Sequence, residues 1–146
     1  MERIGFIGIG LMGHGMAKNL LAKGYSLSFR VHRNRANLAD LTAAGAIEAS
    51  DTRALVAASD IIFFCVTGSP QVEEIIYGAD GLLAAARKGM LVVDCSTSEP
   101  NSTARIRADL AERGVAYIDA PLARTPKEAE EGRLNTMVGA DAESFE

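Results

Sequence analysis

The stretch that most constrains this chain is Arg3-Ile4-Gly5-Phe6-Ile7-Gly8-Ile9-Gly10-Leu11-Met12-Gly13. A short apolar run leads into Gly8-x-Gly10-x-x-Gly13, and an amphipathic segment from Leu11 to about Lys23 follows directly. The pattern predicts a strand, a glycine turn and a helix start in that order. Glycine allows a tight turn and a close approach of backbone to ligand, and a helix N-terminus presents unpaired N–H groups with a partial positive charge. A bound pyrophosphate needs that arrangement. It marks Gly8, Gly10 and Gly13 as candidate dinucleotide contacts.

Beyond the turn, short apolar runs alternate with helix-like segments. Strands are predicted at Leu27 to Val31, Ile61 to Val66, Met90 to Asp94, Val115 to Asp119 and Leu134 to Gly139. Helical stretches are predicted from Asn37 to Ala44, after a cap at Ser50 or Asp51, from Gln71 to Tyr77, from Pro100 to about Arg113, around Glu128 to Glu131, and from Asp141 onward. Ile61 to Val66 is apolar on both faces, as in a central parallel strand covered by helices on each side. The alternation implies an α/β fold: a Rossmann-type, doubly wound, mainly parallel sheet with helices on both faces. In such sheets ligands bind at the carboxyl ends of the strands. Five loops are therefore expected to line one cleft: Gly8 to Gly13, Val31 to Arg35, Val66 to Pro70, Cys95 to Pro100 and Ala120 to Pro126.

The chain of 146 residues suits one domain, residues 1–146, with a single core. Its formal charge of −4 provides no field to attract nucleic acid or an anionic membrane, so neither is an expected partner. Its longest apolar run is too short to span a bilayer, and the N-terminus does not read as a secretion signal. Cys65 and Cys95 both lie in apolar strand-like runs and read as free buried thiols, which points to a reducing cytoplasm. With two distant histidines and no Cys-x-x-Cys, no metal site is visible.

The loop Val31-His32-Arg33-Asn34-Arg35 bears on the choice of cofactor. An NAD-selective fold usually carries an acid about twenty residues past the glycines to bind the ribose 2′-hydroxyl. Here the first acid is Asp40. Arg33 and Arg35 suit a 2′-phosphate instead, which makes NADP the expected cofactor with NAD possible. The alternative is that both arginines are solvated loop charges. Val66 ends the central strand as a cofactor contact or as plain core. Thr97 either orients the nicotinamide half of the cofactor or, like Ser98, caps the helix at Pro100.

Gly5 to Gly13, with Met16-Ala17-Lys18-Asn19-Leu20, resembles the opening signature of the β-hydroxyacid dehydrogenases, which include 3-hydroxyisobutyrate dehydrogenase, tartronate semialdehyde reductase and, more remotely, 6-phosphogluconate dehydrogenase. Asp60-Ile61-Ile62, Gly81-Leu82-Leu83, Asp94-Cys95-Ser96-Thr97, Asp119-Ala120-Pro121 and Gly132 with Met137-Val138-Gly139 extend the resemblance over essentially the whole chain. It implies cofactor contacts at Leu11, Met12, Val66 and Thr97. The family's substrate loop usually reads Asp-Ala-Pro-Val-Ser-Gly-Gly, whereas this chain has Asp119-Ala120-Pro121-Leu122-Ala123-Arg124-Thr125. With Ala123 in place of the serine, the usual substrate is not assumed. The Arg124-Thr125 pair resembles the loop of sulfolactaldehyde reductases, so Arg124, flanked by Ala123 and Thr125, is the candidate anchor for a small anionic substrate. A structural ion pair of Arg124 with Glu128 or Glu131 is the other reading.

The resemblance further implies NADP-dependent, reversible oxidation of a small β-hydroxy acid by hydride transfer. The acid–base lysine is expected beyond Glu146, with no catalytic residue in this chain. An all-helical second domain, absent here, is expected to make the full-length protein a homo-oligomer. An imine reductase and a non-catalytic dinucleotide-binding module are the competing functions.

Overall fold

A computed structural model describes residues 1–31, 33 and 35–145. His32, a candidate cofactor contact, lies outside the described residues. The first half of the chain forms β1 (Ile4–Ile7), α1 (Leu11–Ala22), β2 (Leu27–Arg30), α2 (Ala39–Ala43) and β3 (Ile47–Glu48). After α3 (Thr52–Ala57) come β4 (Ile61–Phe64), α4 (Ser69–Tyr77), α5 (Leu82–Ala85), β5 (Leu91–Asp94), α6 (Pro100–Ala111) and β6 (Ala116–Asp119). The chain closes with β7 (Leu122–Ala123), α7 (Pro126–Glu130), β8 (Asn135–Thr136) and α8 (Ala142–Phe145).

β1 to β6 make one parallel sheet in the order β3-β2-β1-β4-β5-β6, the doubly wound order that the strand–helix alternation implied. β1 sits in the middle, paired to β2 on one side and β4 on the other, and all four of its residues are buried. That burial explains its lack of polar alternation. Side chains alternate between two packed layers. Ile62, Phe64, Val92 and Tyr117 face α3 to α6 with Leu55, Ile76 and Leu110. Ile4, Phe6, Leu27 and Phe29 face α1 and α2 with Ala17 and Leu41. Phe6 stacks on Phe63 across the β1–β4 seam, with ring centroids 6.0 Å apart.

Several expected boundaries move. β2 ends at Arg30, so Val31 lies past the strand. α4 starts at Ser69 rather than Gln71, because Pro70 is accommodated in its first turn. Asp51, not Ser50, caps α3, accepting from the Ala54 N–H at 2.7 Å. β3 has no counterpart among the predicted strands: it is two exposed residues on the sheet edge, too short for an alternating pattern.

The expected last strand, Leu134 to Gly139, does not join the sheet. Only Asn135–Thr136 is extended, pairing antiparallel with Leu122–Ala123 in a separate two-stranded ribbon, and Gly139 bridges to Asp119. The face of β4 to β6 on the α1 side is left partly open. A cavity of about 470 Å³ lies there, lined mainly by apolar side chains including Met16, Phe63, Val93, Ile118, Leu134 and Phe145. No helix among the described residues is long and apolar enough to cross a membrane.

Candidate functional site

The glycine turn runs from the end of β1 into α1. Gly8 has φ +99°, and a side chain there would strike the Cys65 carbonyl at the end of β4, 2.2 Å away. A Cβ on Gly13 would come within 2.1 Å of the Gly8 carbonyl oxygen, so Gly13 lets α1 start flush against the turn. Gly10 differs from both. It is the N-cap of α1, it supplies no capping side chain, and nothing lies within 4 Å of where its Cβ would be. The first-turn N–H groups of Leu11, Met12 and Gly13 thus border an open cradle, and Leu11 is 75% exposed despite being apolar. These residues fit a pyrophosphate, which needs backbone N–H donors and no intervening side chain.

Around the cradle the cleft is a chain of hollows that share Arg33. One, of about 170 Å³, is lined by Gly8, Ile9, Gly10, Arg33, Cys65, Val66, Thr67 and Gln71. A second, of about 310 Å³, lies between the end of β2 and the end of α4, and Arg30, Thr52 and Asp80 line it. A third opens towards the sheet edge between Arg33, Arg35 and Glu48. The mainly apolar cavity beside α1 is separate from this cleft and shares no lining residue with the three hollows.

Arg33 and Arg35 differ in how free they are. Arg33 is exposed, and its Nη2 stands 3.6 Å from Glu74 Oε2. Arg35 is clamped: its Nη1 and Nη2 meet the two oxygens of Glu48 at 2.8 and 2.9 Å. That pairing raises the Arg35 pKa and lowers that of Glu48. Glu48, on β3, is an acid at the candidate ribose corner that a count from the glycines does not find, because it arrives on the next strand. Arg30 was also missed. Its Nη1 donates to the Ser50 carbonyl at 2.9 Å, and Nη2 pairs with Asp80 at 2.8 Å. Asp80 in turn accepts from the Thr52 backbone and hydroxyl at the start of α3.

The loop after β5 is held from beneath by Asp94, which is fully buried. Its carboxylate accepts from the Ser96 N–H at 2.9 Å, the Ser98 hydroxyl at 3.0 Å and the Tyr117 hydroxyl at 2.7 Å. Ser96 Oγ then accepts from the Val66 N–H at 3.0 Å, joining the two loops. Neither Ser98 nor Thr97 caps α6, whose N-cap is Glu99; Ser98 serves Asp94 instead, while Thr97 is exposed and lines none of the three hollows. Burial, with the nearby Asp94 charge, pushes the Cys65 thiol up to about 11, and Cys95 is pushed up to about 12 in the same way. Both are inert thiols rather than nucleophiles.

Arg124 adopts φ 84°, a left-handed backbone that its family counterpart, a glycine, would take without strain. Its side chain is exposed and does not pair with Glu128 or Glu131. Those acids are occupied: Glu128 accepts from the Thr125 N–H at 3.1 Å and from its hydroxyl, and Glu131 pairs with Arg133. With the Asn135 amide turned to accept, its oxygen takes Arg124 Nη2 and Nε at 3.2 and 3.3 Å, which steadies the guanidinium on β8. Thr125 also has a local structural task. It is the N-cap of α7 in a reciprocal capping box with Glu128, so its hydroxyl shapes the loop. Ala123, in β7, offers only its backbone.

Comparison with known proteins agrees with this geometry. The model of a family described as the NAD binding domain of 6-phosphogluconate dehydrogenase matches residues 3–146. A 2-hydroxy-3-oxopropionate reductase from Escherichia coli is 40% identical over 144 residues, 99% of this chain and 49% of that protein. An NAD-dependent L-serine dehydrogenase from Pseudomonas aeruginosa is 42% identical over 147 residues, 100% of this chain and 49% of that protein. The solved structure of Psf3 in complex with NADP+ and 2-OPP matches with a TM-score of 0.88 at 35% identity, over 97% of this chain and 50% of that one. The chain spans about half the length of the curated relatives it matches.

Proposed function

Because this chain belongs to the family of the NAD-binding domain of 6-phosphogluconate dehydrogenase, we propose that it is the nucleotide-binding half of an NADP-preferring dehydrogenase. Its substrate would be a small β-hydroxy acid or a sulfonate analogue of one. The observation that carries the proposal is the open, uncapped cradle between Gly8 and Gly13, where no side chain stands between an incoming phosphate and the first-turn N–H groups of α1. The cofactor, when bound, supplies hydride chemistry at its nicotinamide ring. This chain's residues bind and orient. Leu11, Met12 and Gly13 would donate N–H groups to the pyrophosphate, and Arg33, ahead of Arg35, would be available to a ribose 2′-phosphate. Val66, which shares a hollow with Gly8, Gly10 and Arg33, and Thr97 would be further contacts.

Arg124 is the proposed anchor for the substrate's anion, held at the right height by Asn135 and by the cap of α7. Among the described residues, Lys18 is bound to Glu130 at 2.9 Å, and Lys23, Lys88 and Lys127 do not fall in the family's catalytic pattern. The proton-transfer group is assigned to the half of the protein beyond these residues, as is the contact that makes an oligomer. The free, inert thiols fit a reducing cytoplasm.

The relatives named above differ in cofactor: one is called NAD-dependent, another was solved with NADP+. The preference for NADP therefore rests on the corner at Arg33 and Arg35. Titration of the chain with NADPH and NADH, followed by reduced-nicotinamide fluorescence, tests it: NADPH is expected to bind more tightly, and equal or tighter NADH binding would refute the preference. In the longer protein, Arg124→Ala is expected to raise KM for the acid substrate about tenfold or more with a smaller change in kcat. An unchanged KM would remove Arg124 from the site.

A further inference from the structure

His14 lies in the first turn of α1, directly after the glycine turn. Its ring is wedged between two carboxylates, with Nδ1 2.5 Å from Glu130 Oε1 and Nε2 2.8 Å from Asp40 Oδ2. An ionised carboxylate only accepts hydrogen bonds, so a ring that serves both must carry hydrogen on both nitrogens. That ring is the imidazolium. A neutral ring would turn one lone pair against a carboxylate oxygen. The His14 side chain is only 14% exposed, whereas Asp40 and Glu130 remain partly open to water, so the ring itself is the more enclosed member of the cluster. The other charge facing this cluster is Lys18, one turn along α1, which holds the second oxygen of Glu130 at 2.9 Å and leaves Oε1 to His14.

The partners' positions give the cluster its meaning. Asp40 lies in α2, which follows the loop of Arg33 and Arg35. Glu130 ends α7, which starts at the loop of Arg124 and Thr125. One ring thus joins the phosphate turn, the ribose corner and the anion anchor. α7 is seated on α1 with no padding between them, since a Cβ on Gly15 would come within 2.5 Å of the Ala129 carbonyl carbon. Asn19 Nδ2 fastens the far end of α7, donating to the carbonyls of Ala129 and Glu130 at 3.0 and 3.2 Å.

We propose that His14, as the imidazolium, is a positioning residue that holds three loops of the cleft in register, so that the grip on NADPH weakens when His14 loses its proton. This rests on the nucleotide-site reading above. Burial opposes the charge on His14, but hydrogen bonds to Glu130 and Asp40 and their charges outweigh it and raise the pKa. Weakening is therefore expected as pH rises through a midpoint above the ordinary imidazole range.

The test uses the 146-residue chain, whose two histidines make ring proton resonances simple to follow, with His32→Gln to assign them. NMR titration of the ring and NADPH binding are measured over the same range, about pH 5.5 to about pH 9.5. The NADPH Kd is expected to rise about threefold through the His14 midpoint, a size suited to a partly exposed charge network. Glu130→Gln is to move the ring midpoint and the binding step down together. His14→Gln is to abolish the step and keep the alkaline Kd, with circular dichroism confirming the fold. A His14 midpoint at or below that of free imidazole overturns the proposal. So does a binding step that stays in place in Glu130→Gln, or a wild-type pH profile in His14→Gln. If the chain binds no NADPH at all, the nucleotide reading fails separately. The amide shifts of residues 35–40 and 123–130 then decide: movement with the His14 titration upholds the coupling, and none overturns it.

Discussion

Arg35 spends its fork on Glu48, and a fork already filled by one carboxylate meets an incoming phosphate at a disadvantage. The pair is well exposed, so water and salt screen it and little stability is at stake. Its importance lies in selectivity. Removing the Glu48 charge should free Arg35 and also take a negative charge away from the 2′-phosphate position. Glu48→Gln is expected to tighten NADPH binding about two- to fivefold while leaving NADH nearly unchanged, as read from paired titrations. An unchanged NADPH-to-NADH ratio would place Arg35 outside the ribose corner. Among the single residues that build the site, the glycines were legible in the sequence because their spacing, directly between an apolar run and a helix start, is itself a local pattern, even though the carbonyl that Gly8 must clear lies on β4. Gly8 and Gly13 are demanded by carbonyls of the turn itself and of the adjacent strand end. The Arg35–Glu48 clamp was not legible, because nothing local announces which arginine will find which acid.

The loop between β5 and α6 owes its shape to one buried side chain. Asp94 gathers three donors, from Ser96, Ser98 and Tyr117, and Ser96 passes the constraint on to Val66 after β4. Burial, together with the Asp94 charge and hydrogen bond, raises the Tyr117 pKa, so its hydroxyl stays a donor. Asp94→Asn replaces an acceptor oxygen with an amino group facing donors. It is expected to cost about 1–3 kcal/mol, seen as a lower denaturant midpoint, and to weaken nucleotide binding through the displaced Thr97 loop. No loss of stability would mean that the donors are satisfied elsewhere. The helices and long strands could be read from periodicity and turn residues, and the doubly wound order followed from their alternation. β3 and β8 could not, being two residues each with exposed side chains, so neither leaves a burial pattern. The segment from Leu134 to Gly139 looked like a last strand; in the fold Leu134 and Val138 line the cavity beside α1 and Met137 is exposed. Asp94, His14 and Arg30 act through partners tens of residues away, which a local reading does not supply.

Across the whole molecule, the ion pairs set how stability varies with pH. Asp60 is held far below the usual carboxylate range by hydrogen bonds from the Arg3 side chain and backbone, with Arg87 adding to them. Hydrogen bonds from His14 and then Lys18 lower Glu130, and hydrogen bonding and charge from His14 lower Asp40 despite some desolvation. Groups with lowered pKa values contribute stability above the ordinary carboxylate range and lose it as pH falls through their folded values. His14, raised, contributes below the ordinary imidazole range and loses its share as pH rises. Thermal midpoints are therefore expected to form a plateau between those ranges. His14→Gln should lower the plateau and remove the alkaline decline, while an acid decline persists, with the exposed and screened Asp60 pair contributing only a small share of it. A wild-type alkaline limb in His14→Gln would assign that limb to other groups.

The sheet also governs how the molecule comes into being. Every neighbouring pair from β3 to β6 is parallel, so no hairpin can start it, and each pairing must first close a long loop. β1 is made early but reaches its second neighbour only when β4 has been synthesised. Such non-local pairing is slow to form. The glycine turn, wedged between β1 and the Cys65 carbonyl, takes its shape only when that central seam closes. During synthesis the fingerprint is thus present as sequence well before it exists as a place for phosphate, and the ability to hold a nucleotide emerges together with the fold.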